Sequence, residues 1–138
     1  LMKLFISKII NYFYITGQTW QVVWLDIWHE WIGRVMVIIN GILWLGSWVM
    51  ASVLYFLGGS KLLILHYNVH FGIDFIGRPA MIYWLPLGLT VAIALNSFLP
   101  LVHYSAPRQL RLVILIGTLL VSTLVNVALG SLLFINFY

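Results

Sequence analysis

The sequence predicts an all-α integral membrane protein: three transmembrane helices, an N-terminal interfacial amphipathic helix and a short β-like outer loop. Three observations carry this. First, 63% of the 138 residues are hydrophobic and only 7% are charged, with a mean hydropathy of +1.06. A soluble domain carries roughly 25% charged residues, and so few charges cannot cover a water-exposed surface at this length. Second, the apolar residues gather in three runs without a charge, at 35–57, 80–101 and 112–135. Each reaches the ~20 residues that span a hydrocarbon core of about 30 Å. Third, none of the runs shows the alternating pattern of transmembrane strands, which are about 10 residues long. Unpaired backbone groups are costly in lipid, so the runs are expected to be helices.

The length suits a single membrane domain over 1–138, with an interfacial segment at 1–33 and a structured loop at 58–79. The chain has no cysteine, which excludes a disulfide, a thiolate nucleophile and a cysteine-ligated metal. Its net charge of +4 is scattered at the ends of the apolar runs. Anionic lipid headgroups are therefore the expected partner. Nucleic acid is not expected, because there is no basic cluster or stacking platform.

The first element, residues 4–15, is apolar but short and carries Lys8 and Asn11. It reads as an interfacial helix on the inner leaflet. The rival is a fourth span from about Leu4 to Trp24, which would move the N-terminus to the other side. Next, Trp20, Trp24 and Trp28 recur every four residues, with Trp31 close behind. On a helix they form one stripe, and tryptophan favours the headgroup region, where its ring is apolar and its N–H stays wet. Asp26, Glu30 and Arg34 recur on another face, in the order that suits a Glu30–Arg34 pair. The expectation is an aromatic anchor beside a solvated ion pair. A cation–π cage for a ligand is the alternative.

Lys3, Lys8, Arg34, Arg108 and Arg111 share one side of a three-span chain, and Lys61 and Arg78 share the other. The excess of Lys and Arg on cytoplasmic loops then places the N-terminus in the cytoplasm and the C-terminus outside. Trp20, Trp24, Trp28, Trp31, Arg34, Arg108 and Arg111 become the candidate lipid-interface residues on the inner face.

Each helix run contains one asparagine: Asn40, Asn96 and Asn126. Asn40, Asn96 and Thr118 are expected toward the inner leaflet and Asn126 nearer the middle. Thr118, Ser122, Asn126 and Gly130 follow one another at i+4, a small and polar stripe on one face of the third helix. Ser47 and Ala51 in the first helix, and Gly88 and Ala92 in the second, have the same small-xxx-small spacing. Such residues let helices approach and hydrogen-bond, at about 0.6–2 kcal/mol per contact. Helix packing, within the chain or between copies, is the expectation. A permeation path is the alternative, and it lacks the ionisable residues such paths usually carry. Pro86 is expected to kink the second helix.

The loop is the unusual element. Leu63, Leu65, Tyr67, Val69, Phe71, Ile73 and Phe75 are odd-numbered and apolar; His66, Asn68, His70 and Asp74 are even-numbered and polar. Period two predicts a half-buried strand, in which Gly72 allows a bulge or a bend. It would pair within the loop or with a neighbouring molecule. The competing reading is a short helix, on which His66, His70 and Asp74 share one face. Imidazole and carboxylate ligate zinc or iron, but H-x3-H-x3-D lacks the glutamate of the H-E-x-x-H pattern. In the strand reading the two histidines stand about 13 Å apart, too far to chelate one ion.

"LHYNVHFGIDFIG" resembles an LHYN-x-x-FGID-x-IG stretch of a family of small, uncharacterised bacterial multi-pass membrane proteins. In that family the stretch follows one hydrophobic helix and precedes two more. The resemblance implies the three-helix topology, a bacterial cell membrane and an important loop, built here from His66, Tyr67, Asn68, His70, Gly72, Asp74 and Gly77. It implies no activity, cofactor or catalytic residue. The expected role is a non-enzymatic accessory or assembly component, acting through helix packing and the 63–77 loop, with another membrane protein or a second copy as partner. The alternatives are a metal-dependent enzyme or transporter subunit using His66, His70 and Asp74, and a protein that binds anionic lipid. No cofactor is expected under the first reading.

Overall fold

The computed structural model describes residues 14, 17–18, 21–22, 24–68, 70, 72–102 and 108–137. Helix α1 spans Trp31–Gly58. Strands β1 (Leu63–Asn68) and β2 (Gly72–Gly77) follow, then a 3-10 turn at Pro79–Tyr83, helix α2 (Trp84–Val102) and helix α3 (Arg108–Phe137). Three stretches are long and apolar enough to cross a membrane: Trp31–Gly58, Pro79–Ser97 and Arg108–Phe137. Residues 4–13, most of the expected interfacial helix, and Trp20 lie outside the described residues.

α1 and α3 run in the same direction and share the longest interface, and α2 runs back against both. Glu30 meets Arg108 where α1 and α3 begin, and Ile64, just past α1, meets Asn136 where α3 ends. The distribution of polarity is the reverse of a water-soluble bundle. Asn40, Ser47, Thr118 and Ser122 are buried, while Ile42, Leu45, Val49, Leu95, Leu120 and Leu124 are exposed. Exposed apolar surface on this scale is rare on soluble monomers.

Residues 24–29 are helical, but Glu30 has an extended backbone (φ −80°, ψ 124°), so the chain turns before α1 starts. Gly33 makes the turn possible: a Cβ there would lie 2.7 Å from the Ile27 carbonyl oxygen. The break removes the continuous helix on which Glu30 and Arg34 were expected to pair. The Glu30 carboxylate instead accepts from Arg108 Nε at 3.0 Å. Pro86, expected to kink the second span, stands in the first turn of α2, where its missing N–H costs no helical bond.

The loop is not the helix of the competing reading but strand that pairs within the loop, as two strands. β1 and β2 pair antiparallel, with Leu63 opposite Gly77, Ile64 opposite Ile76, Tyr67 opposite Ile73 and Asn68 opposite Gly72. His70 stands in the turn, and Gly72 has φ +78°, a conformation glycine adopts without strain. The bend foreseen at Gly72 is thus a full reversal. Each of these pairs joins residues of equal parity, so one two-residue rhythm runs through both strands. The register slips at His66, between Ile64 and Tyr67.

The hairpin is seated at its base. Leu63 packs with Ala51, Leu54, Ile82, Leu129 and Leu132 in the apolar core at this end of the bundle. Gly77 lies under the Leu65 side chain, and a Cβ there would meet it and would lie 2.8 Å from Met81 Sδ. The Asn136 side-chain amide completes the seat, accepting from the Ile64 N–H at 2.8 Å and donating to the Ile64 carbonyl at 2.9 Å. It serves β1 as a neighbouring strand would. Asn136→Leu is predicted to cost about 1 kcal/mol of local stability. The measurement is hydrogen exchange: the Ile64 amide exchanges faster, and amides in the middle of α1 are unchanged.

Candidate functional site

Two features stand out among the described residues: a polar seam between the helices that borders a cavity, and the free end of the hairpin.

The seam begins with Asn40. Its Nδ2 donates to the Met36 carbonyl of its own helix at 3.0 Å and approaches the Leu115 carbonyl of α3 at 3.5 Å. Its Oδ1 lies 3.0 Å from the Ser122 hydroxyl, which also lies 2.8 Å from the Thr118 carbonyl. Asn126 Nδ2 donates to the Leu43 carbonyl across the α1–α3 interface at 2.9 Å. Asn96 Nδ2 donates to Thr118 Oγ1 at 2.8 Å, joining α2 to α3. Trp44 Nε1 donates to Thr90 Oγ1 at 2.8 Å, joining α1 to α2, and the Thr90 hydroxyl donates in turn to the Pro86 carbonyl. Every pair of helices is therefore bridged by a side-chain hydrogen bond.

The expected packing residues divide. Ser47 and Ala51 are fully buried, and Ala92 is half-buried. Gly88 and Gly130 face open space: a Cβ on either would have no neighbour within 4 Å. Within this chain they do not mediate close approach. That part falls to Gly46, which the sequence reading missed. A Cβ there would lie 3.2 Å from Asn126 Oδ1, so Gly46 leaves the room Asn126 needs to reach Leu43. Trp44, Thr90 and Asn136 were also missed. Asn136 lies one residue beyond the predicted run, where an amide reads as a helix end.

The cavity measures about 400 Å³ and lies between the three helices at the Arg108 end. Trp24, Val37, Gly41, Trp44, Ile93 and Leu115 give it mainly apolar walls, and Asn40, Asn96, Thr118 and Arg111 add polar atoms. Trp24 thus turns inward, whereas Trp28 and Trp31 are exposed, so the expected single tryptophan stripe is divided. Beside the cavity, Arg111 Nη1 lies 3.9 Å from Asp26 Oδ2. The Arg34 guanidinium lies 6.0 Å from the centre of the Trp31 ring, and its Nε is buried with no hydrogen-bond partner.

At the hairpin, His66 Nδ1 and Asp74 Oδ1 are 2.6 Å apart, a contact made across the strands. Both side chains are exposed. A carboxylate on one ring nitrogen fixes the tautomer and turns the other outward. His70 stands in the turn between them in sequence, and no three His, Cys, Asp or Glu side chains among the described residues form a metal-binding group. The convergence of three ligands required a helix here, and the hairpin replaces it with a two-residue pair. Around that pair, Tyr67, Ile73, Phe75 and Ile76 are each about half exposed.

No protein-family model, curated protein or solved structure matches this chain.

The seam makes a quantitative prediction. A double-mutant cycle of Asn40→Ala and Ser122→Ala, read by unfolding in bicelles, gives a coupling of about 0.6 kcal/mol and at most about 1.7. Ser122→Ala alone is expected to cost about 1 kcal/mol, because Asn40 Oδ1 loses its donor while Nδ2 keeps the Met36 and Leu115 carbonyls.

Proposed function

We propose that this chain is an integral membrane protein that serves as a non-enzymatic accessory or assembly component, docking a partner membrane protein through its hairpin. The N-terminus is cytoplasmic, and the hairpin and the C-terminus are outside. The observation that carries the reading is the division of the hairpin. Its base is held by Leu63, Gly77 and the Asn136–Ile64 pair, while Tyr67, Ile73, Phe75 and Ile76 stay exposed around the polar His66–Asp74 pair. A rigid mount with an apolar and polar tip suits recognition, because little order is lost when a partner binds.

Three further points support it. The outward apolar faces of the helices suit lipid as solvent. The five-to-two division of Lys and Arg supports the orientation. The resemblance at 66–77 supports a bacterial cell membrane. Self-association uses the exposed α2 face that carries Leu87, Gly88, Val91 and Leu95. Trp28, Trp31 and Arg108 sit in an anionic inner leaflet.

The test places a photo-crosslinking amino acid at Ile73 or Phe75 and, as a control, at Val49 on the exposed face of α1. The reading predicts a discrete protein adduct from 73 and 75, absent from 49. Adducts with lipid alone would contradict it. A bound metal near one per chain that is lost in His66→Ala would favour the metal-dependent enzyme or transporter reading instead.

A further inference from the structure

The cavity near the Arg108 end is of the size and character of a ligand site. Such sites run from about 300 to 1,000 Å³, with apolar walls and a few placed polar groups, and this one measures about 400 Å³. Two of its lining residues, Gly41 on α1 and Ala94 on α2, are small and exposed. A Cβ on Gly41 would meet nothing within 4 Å, so the α1 wall is open there.

The charged groups at this end point to what enters. Residues 34, 37, 41 and 44 follow at i, i+3, i+7 and i+10, which puts Arg34 on the face of α1 that lines the cavity through Val37, Gly41 and Trp44. Arg34 Nε is buried and has no hydrogen-bond partner. A buried polar donor without a partner is costly, and its presence calls for an acceptor. Arg111 lines the cavity itself. Glu30 is engaged by Arg108 at 3.0 Å, and Asp26 lies 3.9 Å from Arg111. Neither carboxylate is paired with Arg34, so three arginines against two acids leave a surplus of positive charge at this end.

We infer that the cavity holds one acyl chain of an anionic phospholipid, whose phosphate is taken up by Arg34 beside Arg111. The tail lies against Val37, Gly41, Ile93 and Leu115, and the headgroup stays at the level of Trp24 and Trp31. Basic pockets between helices on the cytoplasmic side are the usual setting for anionic headgroups. This inference rests on the membrane reading above and adds to it a specific occupant.

The experiment compares the full chain with three variants: Gly41→Leu, Gly130→Leu and Arg34→Gln. Each is reconstituted into phosphatidylcholine vesicles with and without a minor fraction of phosphatidylglycerol. Vesicle flotation is scored first, and retained lipid is then counted by native mass spectrometry. Gly41→Leu fills the cavity from a position with room for a side chain. Gly130→Leu adds the same bulk at an open position outside it. The expected result is one retained phosphatidylglycerol per chain in the parent and in Gly130→Leu, and a loss of about tenfold or more in Gly41→Leu. Arg34→Gln is expected to lose the preference for phosphatidylglycerol over phosphatidylcholine. Equal retention in the two glycine variants would overturn the inference, because the lipid would then be held on the outer surface. Preference unchanged in Arg34→Gln would overturn the headgroup assignment. Retention of added oleate in place of phosphatidylglycerol would assign the cavity to a free fatty acid and overturn the phospholipid. Failure of every form to float would overturn the membrane reading itself, a result distinct from the others.

Discussion

The architecture depends on one constraint: polar groups inside the bundle have to find partners within the chain, because the faces that surround them are apolar. Asn40, Asn96, Asn126, Thr118 and Ser122 meet it by bonding to one another and to carbonyls of neighbouring helices. In lipid, apolar packing alone would leave three smooth helices free to slide or rotate, since lipid tails are as apolar as leucine. The seam sets rotation and depth. Ser122 can reach Asn40 only when the α3 stripe faces α1, and Asn126 can reach Leu43 only at the level of Gly46. With α1 and α3 fixed in parallel, their far ends coincide, and Asn136 arrives at Ile64.

The hairpin follows from that alignment. Its base is buried because the ends of α1 and α3 and the 3-10 turn meet there, and its far end is exposed because no helix extends past it. The His66–Asp74 contact is a product of the same geometry. Eight residues apart, the two are distant on a helix or on a single strand, and the antiparallel pairing of β1 with β2 brings them to 2.6 Å. The opposite end has a different character. There the chain bends at Glu30, ion pairs tie the start of α1 to the start of α3, and the helices diverge around the cavity.

Much of the helical layout was legible in the sequence because hydropathy reads directly as helix length. The run at 112–135 and helix Arg108–Phe137 differ only at their ends. The buried positions of α3 were legible for a similar reason: Thr118 and Ser122 break a run of large aliphatics at helical spacing. Relations between segments were not. The alternation at 63–75 showed strand, but a reversal that preserves parity leaves the same pattern as an unbroken strand. Glu30–Arg34 was the natural helical pair, and only the structure shows the chain turning at Glu30, with Gly33 leaving room for the Ile27 carbonyl. Gly88 and Gly46 look alike in sequence, and the structure separates them by whether a neighbouring helix stands opposite.

A bundle built for lipid would hold the hairpin and the Arg108 end on opposite faces of the bilayer. The chain has no cysteine of its own, so single cysteines report without background. Asp74→Cys, Gln109→Cys and Leu124→Cys would each be treated with a membrane-impermeant maleimide, in intact cells and after permeabilisation. Labelling is expected at 74 in intact cells, at 109 only after permeabilisation, and at 124 in neither. Labelling of 74 and 109 from the same side, or ready labelling of 124, would contradict it.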